Sequence, residues 1–222
     1  MTSIIHSSFK VGSNLNIGHH CFIDEDVTIG DNVIIGHAVT IEPDVIIMNN
    51  VKIGHKATLK SGTRIGNNSI FDDHCVSTGA CYIGDNVNIR TGAIISKSTI
   101  IEDNGFIGPG VITNHTKHVT HARPKVREEQ LLTYICYGAV IGSQASLLAG
   151  ITIGQQSIIG GGAVVVKDIE GYGIYVGSPS KRIADVPPEY RLVEPENVGK
   201  MYLTKEILDL LKRYMPNLKL PS

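Results

Sequence analysis

The sequence predicts an all-β solenoid, a fold in which short strands stack coil upon coil. Large apolar residues recur at every sixth position from Ile5 to Ile107, with Ser77 as the exception. Small or β-branched residues recur with the same period, four positions after each large one, from Cys21 to Thr99. Because side chains alternate between the two faces of a strand, each large residue and the small residue two positions before it point to the same side. Each six residues therefore form a short strand and a corner.

The repeat predicts about eight coils and one interruption. Six coils of 18 residues fit between residues 5 and 112, and the period resumes from Ile135 to Val165 with its phase displaced by four positions. A non-repetitive loop therefore occupies about residues 113–134. Long loops without structure of their own are uncommon in compact folds and are usually functional, so this loop is the first candidate for an active site. We expect the solenoid domain to span residues 1–185.

The remaining residues, 186–222, predict a C-terminal extension with one short helix. Two prolines in the segment ADVPPEY end the strand pattern. In YLTKEILDLLKRYM, Thr204 is a suitable N-cap, and apolar residues follow helical spacing at Leu203, Ile207, Leu210 and Leu211. The pattern predicts a helix at about 204–214, which we expect to act as a packing cap or a subunit contact.

Composition excludes several classes of function. The chain has 20 Lys and Arg against 21 Asp and Glu, so it lacks the basic surface typical of nucleic-acid binding. It has neither a basic, apolar leader nor an apolar run of membrane-spanning length, and we expect a cytoplasmic protein without a membrane partner. Its four cysteines lack metal-ligand spacing and are expected to be buried thiols.

Two outward-facing columns of the solenoid are apolar and predict a partner surface. Val76, Ile94 and Ile112 are 18 residues apart and should stack on one face. Tyr82 and Ile100 should stack on another face. Exposed apolar ladders of this kind indicate association with another protein surface.

Beyond the repeats, the interrupting loop and the segment GSPSKRI are similar to features of the hexapeptide-repeat acyltransferases. This resemblance implies a left-handed parallel β-helix, a homotrimer, and acetyl-CoA or another acyl-CoA as cosubstrate, with no metal. The segment FIGPGVITN, followed by a loop that contains HARPK, resembles the subgroup that acetylates the amino group of nucleotide-linked amino sugars. It implies an N-acetyltransferase of surface-polysaccharide or glycan biosynthesis.

The candidate catalytic residues are His115 and Asn114, where the loop leaves the coil. An imidazole titrates near neutral pH and can accept the proton of an attacking amine. The Asn114 amide could donate to the thioester oxygen or position the sugar. Glu102 and Asn104 on the preceding coil, together with His118, are candidates for substrate binding. Decoration of a corner is the alternative for Glu102 and Asn104, and His118 and His121 have the alternative of no role.

The acyl-CoA would lie along the groove between two subunits, as the resemblance implies. The backbone near small residues would hydrogen-bond the pantetheine amides, because small residues permit close approach; these are Gly138, Ala139 and Ala163. Three cationic side chains would bind the phosphates, namely Lys167, Lys181 and Arg182, with solvated surface charges as the alternative.

Three other functions remain open from the sequence. An O-acetyltransferase would use the same fold on a sugar or other small hydroxyl acceptor, and would depend more strictly on a general base. A zinc enzyme similar to hexapeptide-repeat carbonic anhydrases would need three ligands, for which His115, His118 and His121 are the candidates. A non-catalytic solenoid would leave the loop and the cationic tail without a purpose. The nucleotide, the sugar, the amine position and the acyl chain length are not defined by the sequence.

Overall fold

The computed structural model describes residues 2–196 and 202–220. Within them the chain forms a parallel β-solenoid of about 10 turns, built almost entirely from strands, with one short helix near the C-terminus. The predicted solenoid is confirmed. No helix in the described ranges has the length and apolar character needed to cross a membrane.

Most strands of the solenoid are two residues long. In chain order they are β1 (Ile4–Ile5), β2 (Lys10–Val11), β3 (Asn16–Ile17), β4 (Phe22–Ile23), β5 (Thr28–Ile29), β6 (Ile34–Ile35), β7 (Thr40–Ile41), β8 (Ile46–Ile47), β9 (Lys52–Ile53), β10 (Thr58–Leu59), β11 (Arg64–Ile65), β12 (Ile70–Phe71), β13 (Val76–Ser77), β14 (Tyr82–Ile83), β15 (Asn88–Ile89), β16 (Ile94–Ile95), β17 (Thr99–Ile101), β18 (Phe106–Ile107), β19 (Ile112–Thr113), β20 (Thr133–Ile135), β21 (Val140–Ile141), β22 (Ser146–Leu147), β23 (Thr152–Ile153), β24 (Ile158–Ile159), β25 (Val164–Val165), β26 (Gly173–Val176) and β27 (Lys181–Asp185). A 3-10 turn follows at Pro188–Tyr190, and the helix α1 spans Lys205–Tyr214.

Every third strand belongs to the same sheet, so the solenoid has three faces. Sheet 1 has the order β1-β4-β7-β10-β13-β16-β19-β22-β25, sheet 2 has the order β2-β5-β8-β11-β14-β17-β20-β23, and sheet 3 has the order β27-β26-β24-β21-β18-β15-β12-β9-β6-β3. Neighbouring strands are parallel, except that β27 runs antiparallel to β26. In the first six coils, residues that pair between neighbouring strands are 18 positions apart in the sequence, as Thr58 and Val76 are.

The core is the interior of the prism, filled by the two columns that the sequence pattern predicts. The large residues from Ile23 onward and the small residues from Cys21 onward are almost completely buried. Ser77, the exception in the large column, is also buried, and its hydroxyl lies 2.7 Å from that of Thr63. It also accepts a hydrogen bond from the Lys60 N–H at 2.9 Å. This polar contact replaces the apolar packing of most coils, and Thr99 and Thr113 make a similar contact with their hydroxyls 3.1 Å apart.

The structure corrects the predicted number of coils from about eight to about 10 turns. After Val165 the six-residue spacing is lost, yet the chain continues to wind. Ile169 forms a parallel bridge to Ile153, and β26 pairs in parallel with β24. These last segments lie beyond the residues from which the sequence period was counted.

The C-terminal helix α1 packs on the outer face of sheet 2. It begins one residue after Thr204, whose hydroxyl caps it by accepting a hydrogen bond from the Ile207 N–H at 3.4 Å. A second apolar cluster joins the helix to the sheet and contains Ala80, Ile100, Leu132, Tyr134, Cys136, Ile207, Leu211, Met215 and Leu218. The predicted ladder of Tyr82 and Ile100 is therefore covered by the chain's own C-terminal extension, and it is not a free surface for another subunit.

Candidate active site

The interrupting loop leaves the solenoid at the corner between sheets 1 and 2. Strand β19 ends at Thr113 and β20 begins at Thr133, so the inserted loop comprises residues 114–132. The coil below contributes Ser96–Ser98 to this corner, and the coil above contributes Leu148–Gly150. These residues define the loop corner. A Cβ added to Gly150 would lie 2.7 Å from the Leu131 side chain, so glycine lets the returning arm of the loop pack on the coil.

The two arms of the inserted loop and the C-terminal tail pair through their backbones. The Leu131 N–H donates to the His115 carbonyl at 2.9 Å, and Thr116 forms an antiparallel bridge with Gln130. On the other side, the Leu132 N–H donates to the Lys219 carbonyl, and the Lys219 N–H donates to the Gln130 carbonyl, each at 3.0 Å. The base of the loop is therefore held between the solenoid and the tail.

Asn114, the first residue of the loop, is hydrogen-bonded to the next coil. Its side-chain amide donates to the Leu147 carbonyl at 2.9 Å, and its backbone N–H donates to the same oxygen at 3.0 Å. One hydrogen of the side-chain amide is therefore used in a hydrogen bond within the solenoid. The second hydrogen and the side-chain oxygen make no hydrogen bond within the described residues, and they remain for a ligand at this corner.

His115 follows directly and is half-buried. Burial lowers the pKa of its imidazole, and the Lys97 ammonium lowers that pKa further, while Glu128 acts in the opposite direction. The ring makes no hydrogen bond within the described part of the chain. At neutral pH this imidazole is therefore uncharged and has a free nitrogen lone pair, which is what a general base requires.

Glu102 does not share the loop corner. It lies at the corner between sheets 2 and 3 and has no exposed surface. Its carboxylate accepts hydrogen bonds from the Tyr134 hydroxyl at 2.5 Å and from the Tyr137 N–H at 2.7 Å. This geometry favours a structural role over the predicted contact with substrate, because both oxygens already bind donors of the fold.

The other two predicted substrate-binding residues differ in their surroundings. Asn104 has a φ of 58° and occupies the corner position that Asn86 and Asn68 occupy in the coils below, which favours corner decoration. His118 lies exposed on the inserted loop, and His121 is exposed on the same loop. Within the described ranges of this one chain, no three His, Cys, Asp or Glu side chains converge on a common point.

The three residues predicted to contact the pantetheine lie inside the solenoid or against the C-terminal extension, and their contact with a cosubstrate stays a prediction. Ala139 and Ala163 are fully buried, with their side chains in the core. Their backbone groups already belong to the solenoid, since their carbonyls accept from Phe106 and Ser146, each at 2.9 Å. Gly138 is buried as well, and a Cβ there would approach Leu192 of the C-terminal extension to 3.1 Å. Small residues in these coils serve the interior and the corner turns.

The three predicted phosphate-binding cations, in contrast, are brought together. Lys167, Lys181 and Arg182 line one cavity of about 470 Å³, with the remaining walls formed by Asp168, Glu170, Tyr175 and Ser180. The Ser180 hydroxyl is buried and has no hydrogen-bond partner among the described residues. Arg182 pairs with Asp185 at 2.7 Å. The cavity also contains the carboxylates of Asp168 and Glu170, so its cations exceed its lining carboxylates by one, three against two.

Sequence reasoning missed two residues that support the loop corner. Lys97 is 18 residues before His115, one coil below it, and this spacing was a signal in the sequence. Lys219 holds the returning arm through its backbone, and its ammonium pairs with Glu129 at 2.8 Å. No local pattern around Lys219 could have indicated this contact, because it joins segments that are far apart in the chain.

Comparisons with known proteins agree with this architecture. A family model described as the GMPPB C-terminal domain matches residues 3–104. The galactoside O-acetyltransferase of Escherichia coli (strain K12) is 31% identical over 101 residues, which cover 45% of this chain and 50% of that protein. The chain thus spans about half the length of this relative.

Solved structures extend the likeness over most of the chain and show the fold. LpxA from Acinetobacter baumannii is 21% identical, with a TM-score of 0.69 over 83% of this chain and 72% of that chain. The UDP-N-acetylglucosamine acyltransferase of Francisella novicida is 20% identical, with a TM-score of 0.56 over 82% of this chain and 70% of that chain.

A parallel solenoid of six-residue repeats, interrupted by one loop at a corner, defines a hexapeptide-repeat protein. The curated proteins that its sequence matches include galactoside, serine and chloramphenicol acetyltransferases. The chain is therefore similar to acetyltransferases of the hexapeptide-repeat type over part of its length. The resemblance stated from the sequence is confirmed.

Proposed function

We propose that this chain transfers an acetyl group from acetyl-CoA to the amino group of a nucleotide-linked amino sugar. The observation that carries the proposal is His115, a half-buried imidazole with a lowered pKa at the base of the one inserted loop. Acyl transfer to an amine needs a proton acceptor in this state near the reacting atoms. The acetyltransferase relatives support the choice of reaction.

In the proposed reaction acetyl-CoA supplies the activated thioester. The acceptor amine forms the new carbon–nitrogen bond, the carbon–sulfur bond breaks, and coenzyme A leaves as its thiolate. His115 takes the proton that the amine nitrogen loses and passes it to the departing sulfur, so that coenzyme A is released as its thiol. The free amide hydrogen of Asn114 donates to the thioester oxygen as negative charge develops there. Lys167 and its two cationic neighbours would bind the phosphates of coenzyme A.

The amino-sugar acceptor is supported by the segment FIGPGVITN and by the loop that follows it. The Francisella novicida enzyme with the same fold is named for a nucleotide-linked sugar, and because the nitrogen of that sugar is already acetylated, the name supports the nucleotide-linked class of acceptor and not the amine. O-acetylation is the second candidate, because the 31% identical relative is a galactoside O-acetyltransferase. A hydroxyl acceptor makes the general base more important than an amine does.

We also infer a homotrimer in which the apolar column of sheet 1 packs against two further copies. Ile112 on this column is 41% exposed, and Val76 and Ile94 are partly exposed in line with it. Unlike the column on sheet 2, this column is not covered by the C-terminal helix. Light scattering after size-exclusion chromatography measures the assembly, and replacing Ile94 and Ile112 with Asp should give monomers. The cytoplasmic location stays a prediction.

The decisive experiment measures free thiol released from acetyl-CoA in the presence of different acceptors. The panel contains UDP-, GDP- and dTDP-linked amino sugars, and galactosides, serine and chloramphenicol as neutral acceptors. We expect thiol release with one nucleotide-linked amino sugar and stabilisation of the protein by acetyl-CoA in a thermal shift. Turnover with a neutral hydroxyl acceptor alone supports the second candidate. If acetyl-CoA is not consumed with any acceptor, the proposed function is wrong.

A further inference from the structure

We propose that the cationic stretch of the inserted loop, residues 117–127, binds the diphosphate of the acceptor. This inference rests on the proposed function and adds a binding site to it. The stretch reads KHVTHARPKVR and contains Lys117, Arg123, Lys125 and Arg127, with no Asp or Glu. It holds four of the chain's 20 Lys and Arg in 11 residues, although the chain as a whole has a net charge of −1.

The cations of this stretch are exposed and are not neutralised by the fold. Every residue from Lys117 to Arg127 is exposed except Thr120, which is partly exposed. Within the described ranges no ion pair involves the four cations. Of the two carboxylates that follow, Glu129 pairs with Lys219 at 2.8 Å and also interacts with Lys117, while Glu128 accepts from the neutral Gln130 amide at 3.0 Å and keeps its charge. The four cations of the stretch therefore outnumber the nearby carboxylates, and this excess of positive charge favours an anionic ligand.

The backbone of the loop brings its two arms together beside His115. The Lys117 N–H donates to the Glu129 carbonyl at 3.3 Å, so Lys117 lies next to the arm that carries Arg127. Between them the chain turns, with the Arg123 N–H donating to Thr120 and the Val126 N–H donating to Arg123. Cations from both arms can therefore approach one ligand from two sides. A diphosphate offers several oxygens to such an arrangement, and guanidinium groups bind phosphate in a bidentate manner.

The loop site and the cations assigned to coenzyme A occupy different levels of the same corner. The register of Ile112, Ser146 and Val164 places Lys167 two coils above His115. Lys167 lines a cavity there with Lys181 and Arg182, whereas the loop leaves the corner at His115 itself. The acceptor, which must reach His115, is then the partner nearest to the loop. A neutral galactoside or amino acid would give these charges nothing to bind, while a nucleoside diphosphate carries the matching negative charge.

The test replaces three cations of the loop in the variant K117Q/K125Q/R127Q. Arg123 is kept because its guanidinium donates to the His121 carbonyl at 2.8 Å and stabilises the turn. The matched control is K10Q/K205Q/K212Q, which removes the same charge from exposed positions outside the loop. Isothermal titration with UDP, GDP and dTDP measures binding without any need for turnover, and uridine, guanosine and thymidine serve as phosphate-free probes.

We expect one nucleoside diphosphate to bind wild type, and the loop variant to bind it about tenfold or more weakly. The control should bind like wild type, the nucleosides should not distinguish the proteins, and the difference should shrink as salt is raised. In steady-state kinetics the KM for the nucleotide-linked acceptor should rise in the loop variant, while the KM for acetyl-CoA should not change.

Three results would overturn the inference. They are equal binding by the loop variant and wild type, a rise in the KM for acetyl-CoA in place of the acceptor KM, and no binding of any nucleoside diphosphate to wild type. In the last case, acetylation of a neutral acceptor would show that the protein is an acetyltransferase although it has no diphosphate site. Conversely, loop-dependent diphosphate binding without acetyl transfer to any acceptor would support the site and contradict the proposed function.

Discussion

The backbone N–H of Leu131 donates a hydrogen bond to the carbonyl oxygen of His115 at 2.9 Å, and this contact closes the inserted loop. It fixes the backbone of the candidate base against the arm that returns to strand β20. The Leu131 arm is in turn paired with the tail at Lys219. A side chain on a loop held in this way can be positioned more accurately than one on a free loop, which catalysis requires.

Replacing His115 with Ala should lower kcat about 100-fold or more, because a general base contributes on the order of 10²–10⁴ to such a reaction. Burial and Lys97 lower the pKa of this imidazole, so protonation removes the base only at a pH below the usual range of histidine. The acidic limb of the wild-type pH profile should therefore lie below about pH 6.5. Steady-state rates measured from pH 4.5 to 8 check both expectations.

The matched controls for this prediction are His118→Ala and His121→Ala. Both side chains are exposed on the same loop, and both variants should retain kcat within about twofold of wild type if the base is His115. Equal losses in all three variants would contradict the assignment of the base to His115. Such a result would instead favour a shared role of the three histidines.

Deletion of residues 219–222, which keeps the buried Leu218, should impair catalysis although no residue of the tail is proposed to touch substrate. The deletion removes both backbone hydrogen bonds of Lys219 to the returning arm, which hold the base of the loop. We expect kcat to fall and the amides of Leu131 and Leu132 to exchange hydrogen faster, because loss of pairing allows local opening. Hydrogen exchange followed by mass spectrometry and steady-state kinetics measure these effects.

The side-chain control for the tail is Lys219→Met, which keeps the backbone pairing and removes only the exposed ion pair with Glu129. Exposed ion pairs contribute about 0–1 kcal/mol, so this variant should behave nearly as wild type. If Lys219→Met and the deletion lose the same activity, the ion pair and not the backbone positions the loop. If neither loses activity, the tail has no part in positioning.

The solenoid was predictable from the sequence because its local rule repeats. Every stretch of six residues folds in the same way. Cys21 and Ile23 therefore point into the core, as the equivalent residues of the other coils do. The inserted loop was predictable for the same reason, as the segment where the rule fails. The extra turns were missed because Ile169 and β26 enter the stack without the six-residue spacing.

Asn114 and His115 could be singled out from the sequence because they directly follow the last residue in phase. Lys97 was missed, although its distance of one coil before His115 could have indicated it. Contacts between remote segments carry no such period, so the pairing of Lys219 with the loop could not be read from the sequence. The environment of Glu102 also depends on a long-range contact with Tyr134, a residue on the far side of the insertion.

Glu102 is predicted to stabilise the fold and not to bind substrate. Replacing it with Ala leaves the Tyr134 hydroxyl and the Tyr137 N–H buried without their acceptor, which should lower the free energy of unfolding by about 3 kcal/mol. Glu102→Gln keeps one acceptor oxygen and should lose less. Denaturant unfolding measures stability, and the KM for the acceptor should not change in Glu102→Gln. A raised KM with unchanged stability would restore the predicted contact with substrate.

His19, His37 and His55 form a column on the corner between sheets 3 and 1. The ring nitrogens of His37 and His55 should stabilise the fold by accepting backbone hydrogen bonds, as asparagine side-chain oxygens do on another corner. The backbone N–H of His19 donates to Nδ1 of His37 at 2.8 Å, and the N–H of His37 donates in the same way to His55. The rings of His37 and His55 stack with centroids 5.0 Å apart. On another corner the Asp31 N–H donates to the side-chain oxygen of Asn49 at 2.8 Å.

Because an amide oxygen fills this role elsewhere in the chain, His37→Asn should retain the hydrogen bond, whereas His37→Leu should lose it. The loss costs about 1 kcal/mol at this exposed position and lowers Tm by about 2–4 °C in a chain of this size. Thermal unfolding followed by circular dichroism distinguishes the two variants. If His37→Asn is destabilised as much as His37→Leu, ring stacking and not the Nδ1 acceptor provides the stability of this column.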